Sequence, residues 1–442
     1  MTVSFHTLGC KLNFAETSTI GRLFDENGYT KVDFGRSADV VVINTCTVTR
    51  QADRKCRQAI SKAVKSSPDA IVAVIGCFAE LKAAEIASIP GVDIVLGTKD
   101  KFNIIEHINR LKEEKMGEEG EIGETGINLP ISLASPSSSL SPFFPSYSLF
   151  DRTRSFLKVQ DGCDYHCSYC TIPKARGRSR NAPIAEIVKQ AEIIANQGIR
   201  EVVLTGVNIG DFGKTTGETF LQLLCALESV DNIERIRIGS VEPNLITEKM
   251  IAWIAGSQRI APHFHIPLQS GCNKILGLMA RRYRREFFAG KVALVHQYIP
   301  RAAIGADVIV GFPGETDDDF EETRMFIENL NLAYLHVFPY SERPGTKSVD
   351  LPGKVKSADA EWRSKKLIEL SETKRKLFYQ QHAGQHFWVI FEQRSKGGMM
   401  TGFTENYIKV EAPYNAFVIG KSVSVELIEV CESGNMMGSL LY

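Results

Sequence analysis

The chain has 442 residues, 43% of them hydrophobic and 24% charged, with 52 Lys and Arg against 52 Asp and Glu. That length exceeds what one hydrophobic core serves, so two or three domains are expected, and the composition excludes both a small binding module and a chain disordered throughout. Zero net charge hides any basic patch, so charge has to be read locally. The longest nearly apolar stretch, Ala70 to Ala79, has about half the length of a membrane helix, and Met1 to Asn13 lacks the charged start and apolar centre of a signal peptide. No membrane association and a cytoplasmic location are therefore expected. In that reducing compartment the ten cysteines point to metal or redox chemistry rather than to structural disulfides.

The first third alternates β-branched runs with helical patterns: Val3 to Leu8 then Ala15 to Asn27, Asp39 to Ile43 then Arg50 to Lys65, Ile71 to Ile75 then Glu80 to Ser88. This alternation predicts a parallel α/β domain over residues 1–111. Residues 112–150 carry six glutamates, four prolines and eight serines and read as a linker or surface loop, with room for one short strand. A second alternating series has strands expected near Phe156 to Gln160, Glu201 to Leu204, Arg235 to Ile238, Phe264 to Ile266, Gly305 to Ile309 and Tyr334 to Phe338. Six strands separated by helices predict a partial (β/α)6 barrel, which with a following basic helix from Ala358 to Gln381 spans residues 151–381. Short strands between Gly-containing turns then predict a small antiparallel β-barrel over 382–442.

Cys163, Cys167 and Cys170 form C-x3-C-x2-C on one loop directly after the first strand of the second series. A structural zinc site wants a fourth ligand, usually in paired C-x2-C form, and His166 lies between two of the cysteines rather than at ligand spacing. Three thiolates suit a cubane iron-sulfur cluster with one iron left open, with zinc or inert cysteines as the alternatives. Cys10, Cys46 and Cys77 are far apart in sequence, but each comes just after a predicted parallel strand. Loops at the carboxyl ends of such strands share one crevice, so these thiols can meet; three buried small hydrophobes is the competing interpretation. Cys56, Cys225, Cys272 and Cys431 read as core or incidental thiols.

The 163–170 spacing on a βα barrel resembles the radical S-adenosylmethionine superfamily. With both triads in this order and a terminal barrel, nearly the whole chain resembles the methylthiotransferases, which end in a TRAM domain. Thr7-Leu-Gly-Cys-Lys-Leu-Asn13, Asn44-Thr-Cys-Thr-Val-Thr49 with Ala52-Asp-Arg-Lys55, and Val159-Gln-Asp-Gly-Cys163 are most similar to the branch acting on threonylcarbamoyladenosine in tRNA. The resemblance implies a methylthio group placed on C2 of that nucleoside at tRNA position 37. It implies two [4Fe-4S] clusters, one on Cys163, Cys167 and Cys170 and an auxiliary one on Cys10, Cys46 and Cys77. One S-adenosylmethionine would methylate sulfur on the auxiliary cluster and a second would give a 5'-deoxyadenosyl radical, so a reducing partner such as flavodoxin or ferredoxin is implied. The chemistry is cluster-borne, and no side chain is singled out as catalytic.

By the same resemblance Tyr169, Gly206, Ser240, Glu242, Gln269 and Asp307, on or after barrel strands, shape the S-adenosylmethionine pocket; turn geometry, capping or packing is the plainer reading of each. Arg176 and Arg178 follow the cluster loop, and Arg281, Arg282, Arg284 and Arg285 follow the fourth strand. Either run alone reads as a solvated face, but two beside one active-site mouth suit phosphate contacts with a tRNA anticodon arm. From His382 onward four Lys and Arg stand against six Asp and Glu, so an RNA role for that barrel rests on resemblance alone. A monomer is expected. The alternatives are the isopentenyladenosine branch and a methylthiotransferase acting on a ribosomal-protein side chain. An iron-sulfur scaffold or sensor is disfavoured, because it needs no six-strand barrel.

Overall fold

Runs of Val and Ile bounded by helix-forming segments fold as strands and helices in alternation. The computed structural model describes residues 1–118, 142–149, 153–394 and 397–441. The chain divides into two units, one of Met1–Ser148 with Gly162–Tyr165 and Cys170–Arg178, the other of Leu149–Asp161, His166–Tyr169 and Ser179–Tyr442.

In the first unit, β1 (Thr2–Thr7), α1 (Lys11–Glu26), β2 (Thr30–Val32), β3 (Val40–Thr45), α2 (Arg50–Ser66), β4 (Ile71–Gly76), α3 (Cys77–Leu81), α4 (Ala83–Ala87), β5 (Ile94–Leu96) and α5 (Ile104–Glu118) follow in order. The sheet is wholly parallel, in the order β2-β1-β3-β4-β5. Its two central strands are buried at every residue, which is why they read as unbroken apolar runs. Val41, Ile43, Val72 and Val74 meet Cys56 and Ile60 of α2, while Val40, Val42 and Ile75 meet Phe24 and Ile108 on the opposite layer. Most of the expected loop lies outside the described residues. Its start continues α5, and its end holds the short strand β6 (Ser146–Tyr147), where Arg22 of α1 stacks 4.0 Å over the Tyr147 ring. Helix α6 (Ile172–Arg176) completes this unit.

In the second unit, β7 (Arg154–Lys158), α7 (Ile184–Asn196), β8 (Glu201–Thr205), α8 (Phe220–Glu228), β9 (Arg235–Arg237), α9 (Glu248–Gly256), β10 (His263–His265), α10 (Asn273–Leu278), α11 (Arg285–Tyr298), β11 (Ala303–Val310), α12 (Asp317–Glu328) and β12 (Tyr334–Pro339) form the (β/α)6 core. Strands β7 to β9 pair in parallel, as do β10 to β12. Parallel bridges Ile236↔Ile260 and Ser240↔His265 link the two halves. Helix α13 (Ser357–Gln380) leads to β13 (His386–Arg394), β14 (Met399–Thr404), β15 (Lys409–Pro413), β16 (Ser422–Val430) and β17 (Met436–Leu440).

These last five strands close a barrel in the order β13-β14-β15-β17-β16. The expectation of an antiparallel barrel is corrected: β15 and β17 run parallel, because an odd ring of strands cannot alternate direction all the way round. Phe387, Val389, Phe391, Val410, Val425 and Met436 fill the interior.

Three arginines around one carboxylate tie this barrel to the core. Glu201 of β8 is buried and accepts from Arg237 Nε at 2.8 Å and Arg235 Nη1 at 3.1 Å, with Arg154 at 3.7 Å. The remaining guanidinium donors reach barrel carbonyls: Arg235 to Trp388 at 2.7 Å and Phe403 at 3.0 Å, Arg237 to Thr404 at 2.6 Å and Glu405 at 2.9 Å. Burial alone would raise the Glu201 pKa, but Arg237 and Arg235 outweigh it and bring the value down to about 2. A pKa below the unfolded value means that the stability Glu201 contributes is complete above about pH 4.5 and is lost as the pH falls toward 2. Glu201→Gln should therefore unfold at lower temperature than the parent at pH 7, by an amount equivalent to about 3 kcal/mol or more, since it strands buried cations. The gap should narrow as thermal melts are repeated at lower pH.

Candidate active site

Strand β1 has β2 on one side and β3 on the other, so the chain reverses direction of travel between β1 and β3, where crevices open in such sheets. Cys10 and Cys46 follow those two strands and Cys77 follows β4. Two glycines let the turns close. Gly9 has φ +107, and a Cβ there would fall 2.6 Å from Cys46 Cβ; Gly76 has φ +98, and a Cβ would fall 2.5 Å from Asn44 Oδ1. Buried amides brace the same turns: Asn13 Nδ2 donates to the carbonyls of Leu8 at 2.7 Å and Thr45 at 3.0 Å, and Asn44 Nδ2 donates to the Asn13 carbonyl at 3.1 Å. Burial, with Cys10 and Cys77 adding to it, pushes the Cys46 thiol up to about 12.

Burial also raises Cys77, opposed by the cations Arg176 and Lys101. Both cations bind Glu16, whose carboxylate is fully buried: Lys101 Nζ lies at 2.5 Å and Arg176 Nη2 at 3.1 Å. Arg176 also donates to Asn13 Oδ1 at 2.7 Å. The three thiols do not converge tightly enough for one ion. A zinc ion with bonds of about 2.3 Å keeps its thiolates within about 4.6 Å of each other, and among the described residues Cys10, Cys46 and Cys77 are not grouped even within 4.8 Å.

Cys163, Cys167 and Cys170 lie between β7 and α6. Gly162 precedes the first with φ +73, and a Cβ there would clash with the Arg178 carbonyl; the Cys163 amide donates to the Gly177 carbonyl at 3.1 Å. In the second unit, Arg281 Nη1 donates to Cys167 Sγ at 3.2 Å and lies 3.5 Å from Tyr169 Oη. Its Nη2 pairs with Glu242 and donates to Tyr283 Oη at 3.1 Å. Burial works against the Arg281 charge, yet Tyr169, Tyr283 and Glu242 hold its pKa well above the usual range. Tyr169 packs edge-on to Phe312 at 6.1 Å.

Gly206 has no room for a side chain, since a Cβ would meet the Gln160 carbonyl at 2.8 Å. Gln160 Oε1 accepts from the amides of Val207 at 3.0 Å and Asn208 at 2.9 Å. Gln269 takes φ +68, and its amide donates to the Asp307 carbonyl at 2.8 Å. Ser240 Oγ lies 2.7 Å from His265 Nδ1. His265 Nε2 and His336 Nδ1 flank Asp307 Oδ1 at 3.2 and 3.3 Å. Burial would raise Asp307, but hydrogen bonds from His265 and His336 hold it far below the usual carboxylate range.

Two family models match the chain: "uncharacterized protein family UPF0004" over residues 2–97 and the radical SAM superfamily over 157–327. A threonylcarbamoyladenosine tRNA methylthiotransferase of Bacillus subtilis is 40% identical over 97% of this chain and 94% of the relative. Another, from Aquifex aeolicus, is 37% identical over 93% of this chain and 96% of the relative. A tRNA-2-methylthio-N(6)-dimethylallyladenosine synthase of Sulfurihydrogenibium is 32% identical over 98% of both. The chain belongs to the radical S-adenosylmethionine methylthiotransferase family. In fold it is similar to the radical S-adenosylmethionine methyltransferase TsrM of Kitasatospora setae, with a TM-score of 0.55 and 14% identity over 90% of this chain and 77% of that one. Membership in the radical S-adenosylmethionine superfamily implies a [4Fe-4S] cluster and S-adenosylmethionine. Among the described residues no helix is long and apolar enough to cross a membrane.

For this methylthiotransferase the arginine runs need correction. Arg176 and Arg281 have side chains 1% and 3% exposed and sit in ion pairs, so neither presents its guanidinium to a phosphate. Arg178 and Arg284, at 80% and 78%, and the exposed Arg282 remain on the surface. Arg285 is partly covered and pairs with Glu322. A basic face that the sequence reading passed over is α2, where Arg54, Lys55, Arg57, Lys62 and Lys65 are exposed. His336 was also missed as a site residue. His336 lies in an ordinary apolar strand pattern, and only the register that sets it opposite Asp307 reveals it. Arg176→Gln and Arg281→Gln should each lower the thermal unfolding midpoint, at a cost of about 3 kcal/mol as buried partners are stranded. Arg284→Gln should change stability by less than about 0.5 kcal/mol.

Proposed function

We propose that the protein installs a methylthio group at C2 of N6-threonylcarbamoyladenosine at position 37 of tRNA. The observation that carries this is near-full-length similarity to threonylcarbamoyladenosine tRNA methylthiotransferases in a chain with both cysteine triads. Cys163, Cys167 and Cys170 hold the radical cluster, and Cys10, Cys46 and Cys77 an auxiliary [4Fe-4S] cluster. Such a radical cluster, when bound and reduced by a donor such as flavodoxin or ferredoxin, would supply the electron for cleavage of S-adenosylmethionine to methionine and a 5'-deoxyadenosyl radical.

The protein's own residues place the reactants. Tyr169, Gly206, Ser240, Glu242, Gln269 and Asp307 shape the cofactor pocket. Gln160 fixes the backbone beside Gly206, and Arg281 holds the Glu242 carboxylate beside Cys167 and Tyr169. Exposed Arg178, Arg282 and Arg284, with the uncovered part of Arg285, contact phosphates of the anticodon arm. The working domain limits are 1–111, 151–381 and 382–442.

Anaerobically reconstituted protein should carry about eight iron atoms per chain, as two cubanes require, and Cys46→Ala about half of that. Cys46→Ala should still release 5'-deoxyadenosine under reducing conditions yet form no methylthiolated nucleoside, whereas Cys167→Ala should do neither. Loss of cleavage in both variants would show that the amino-terminal triad is not a separate centre. Mass spectrometry of tRNA nucleosides from cells with and without the gene tests the substrate; unchanged methylthio-threonylcarbamoyladenosine would refute the assignment. Arg178→Gln combined with Arg284→Gln should weaken tRNA binding and flatten its dependence on log salt by about two, one for each lost phosphate contact.

A further inference from the structure

The face of β10, β11 and β12 that carries His265, Asp307 and His336 is built in layers. In the lower layer His263 Nε2 lies 2.8 Å from Tyr334 Oη and stacks on Tyr407 at 4.2 Å, with Arg237 5.1 Å over that ring. Gly305 has no side chain because Tyr334 occupies the space a Cβ would take. Those groups are spent on one another and on the docked barrel. One layer up, Asp307 stands opposite His336, and above them Ile309 stands opposite Phe338. Here the side chains open to solvent: His336 is 52% exposed and Phe338 43%.

His265 is fixed by Ser240 on one ring nitrogen and by Asp307 on the other. His336 turns Nδ1 to Asp307, and among the described residues its Nε2 has no partner. The strand ends of such barrels are where substrates sit. This one therefore offers an outward imidazole nitrogen, an ionised carboxylate behind it and an exposed aromatic ring one layer above.

We infer that His336, set by Asp307 and His265, reads the threonylcarbamoyl substituent of the base. This rests on the threonylcarbamoyladenosine reading of the site. The substituent carries a carboxylate, a hydroxyl and ureido N–H groups. Its hydroxyl or a ureido N–H can donate to His336 Nε2, the acceptor left when Nδ1–H is given to Asp307, and its other N–H or O–H groups can donate to Asp307, which only accepts. A dimethylallyl group carries carbon alone and, seated on these polar groups, would take them out of water without pairing them, a penalty that favours the polar substituent. His336 is a specificity residue rather than a participant in the radical step.

The test uses cluster-reconstituted full-length protein with two probes, a tRNA carrying threonylcarbamoyladenosine at position 37 and the same tRNA with plain adenosine there. The wild type should bind the modified tRNA more tightly. His336→Phe should lose about 10- to 100-fold of that preference, the range expected for one or two hydrogen bonds, with the change in KM exceeding that in kcat. His336→Gln, which keeps a donor and an acceptor, should recover part of it, and it remains informative if the Phe variant does not fold. Equal preference in the wild type and both variants overturns the inference while leaving the proposed function standing. Failure of the wild type to modify either tRNA overturns the function and this assignment together. A stoichiometric divalent ion present in the wild type and absent from His336→Gln also overturns it, because the imidazole and carboxylate would then be metal ligands.

Discussion

Glu16 is the buried charge on which the amino-terminal unit turns. It sits two helical turns after Cys10, and its carboxylate holds Lys101, at the entry to α5, and Arg176, at the end of the helix that follows Cys170. Buried ion pairs are poor sources of net stability, because desolvation offsets most of the attraction. They fix which partners can meet, and here one carboxylate binds two cations. The same two cations oppose the effect of burial on the Cys77 thiol.

The backbone brings the thiols together by a different route. A parallel sheet puts all its βα turns at one end, and the turns after β1, β3 and β4 each carry a cysteine. The turns are tight enough to require glycine: a side chain at Gly9 would occupy the space of Cys46, and one at Gly76 would strike Asn44. Asn13 and Asn44 then lock neighbouring turns through buried amide hydrogen bonds. In the carboxy-terminal unit the same economy appears around Glu201, where a single carboxylate orders two arginines whose spare donors hold four barrel carbonyls. The barrel is thus attached through main-chain groups, with Tyr407 adding a side-chain contact where it stacks on His263 and lies under Arg237.

Much of this was legible before any coordinates. Alternating apolar runs report strands wherever both faces are buried, so β3, β4, β8 and β11 were anticipated within a few residues, and the cysteine spacings pointed to the chemistry. Strands β14 and β17 are hard to read from sequence because glycine interrupts them. Gly402 and Gly438 are there because a Cβ would press on the Ile390 carbonyl and on Val410 and Val425, a reason that exists only after pairing. Charge was the least legible quantity. Arg176 and Arg178 differ by two positions, and Arg281 and Arg284 by three; in each pair one guanidinium is buried in an ion network and the other is in water. Local sequence gives both the same character, and only the distant carboxylates of Glu16 and Glu242 separate them.

The placement of Glu242 also sets how its carboxylate can take a ligand. Its carboxylate already faces Arg281, which in turn touches Cys167 and Tyr169. A carboxylate so engaged can hold a ligand's ammonium group only by sharing its oxygens with the guanidinium or by releasing it. Release is costly while Arg281 is buried, and sharing is cheap because a carboxylate offers about four acceptor sites. Tyr283 supports sharing: its hydroxyl accepts from Arg281 while donating to the carbonyls of Pro267 and Leu268, so the guanidinium stays in place when one oxygen of Glu242 turns to a ligand. The same network keeps the Arg281 guanidinium against the Cys167 sulfur.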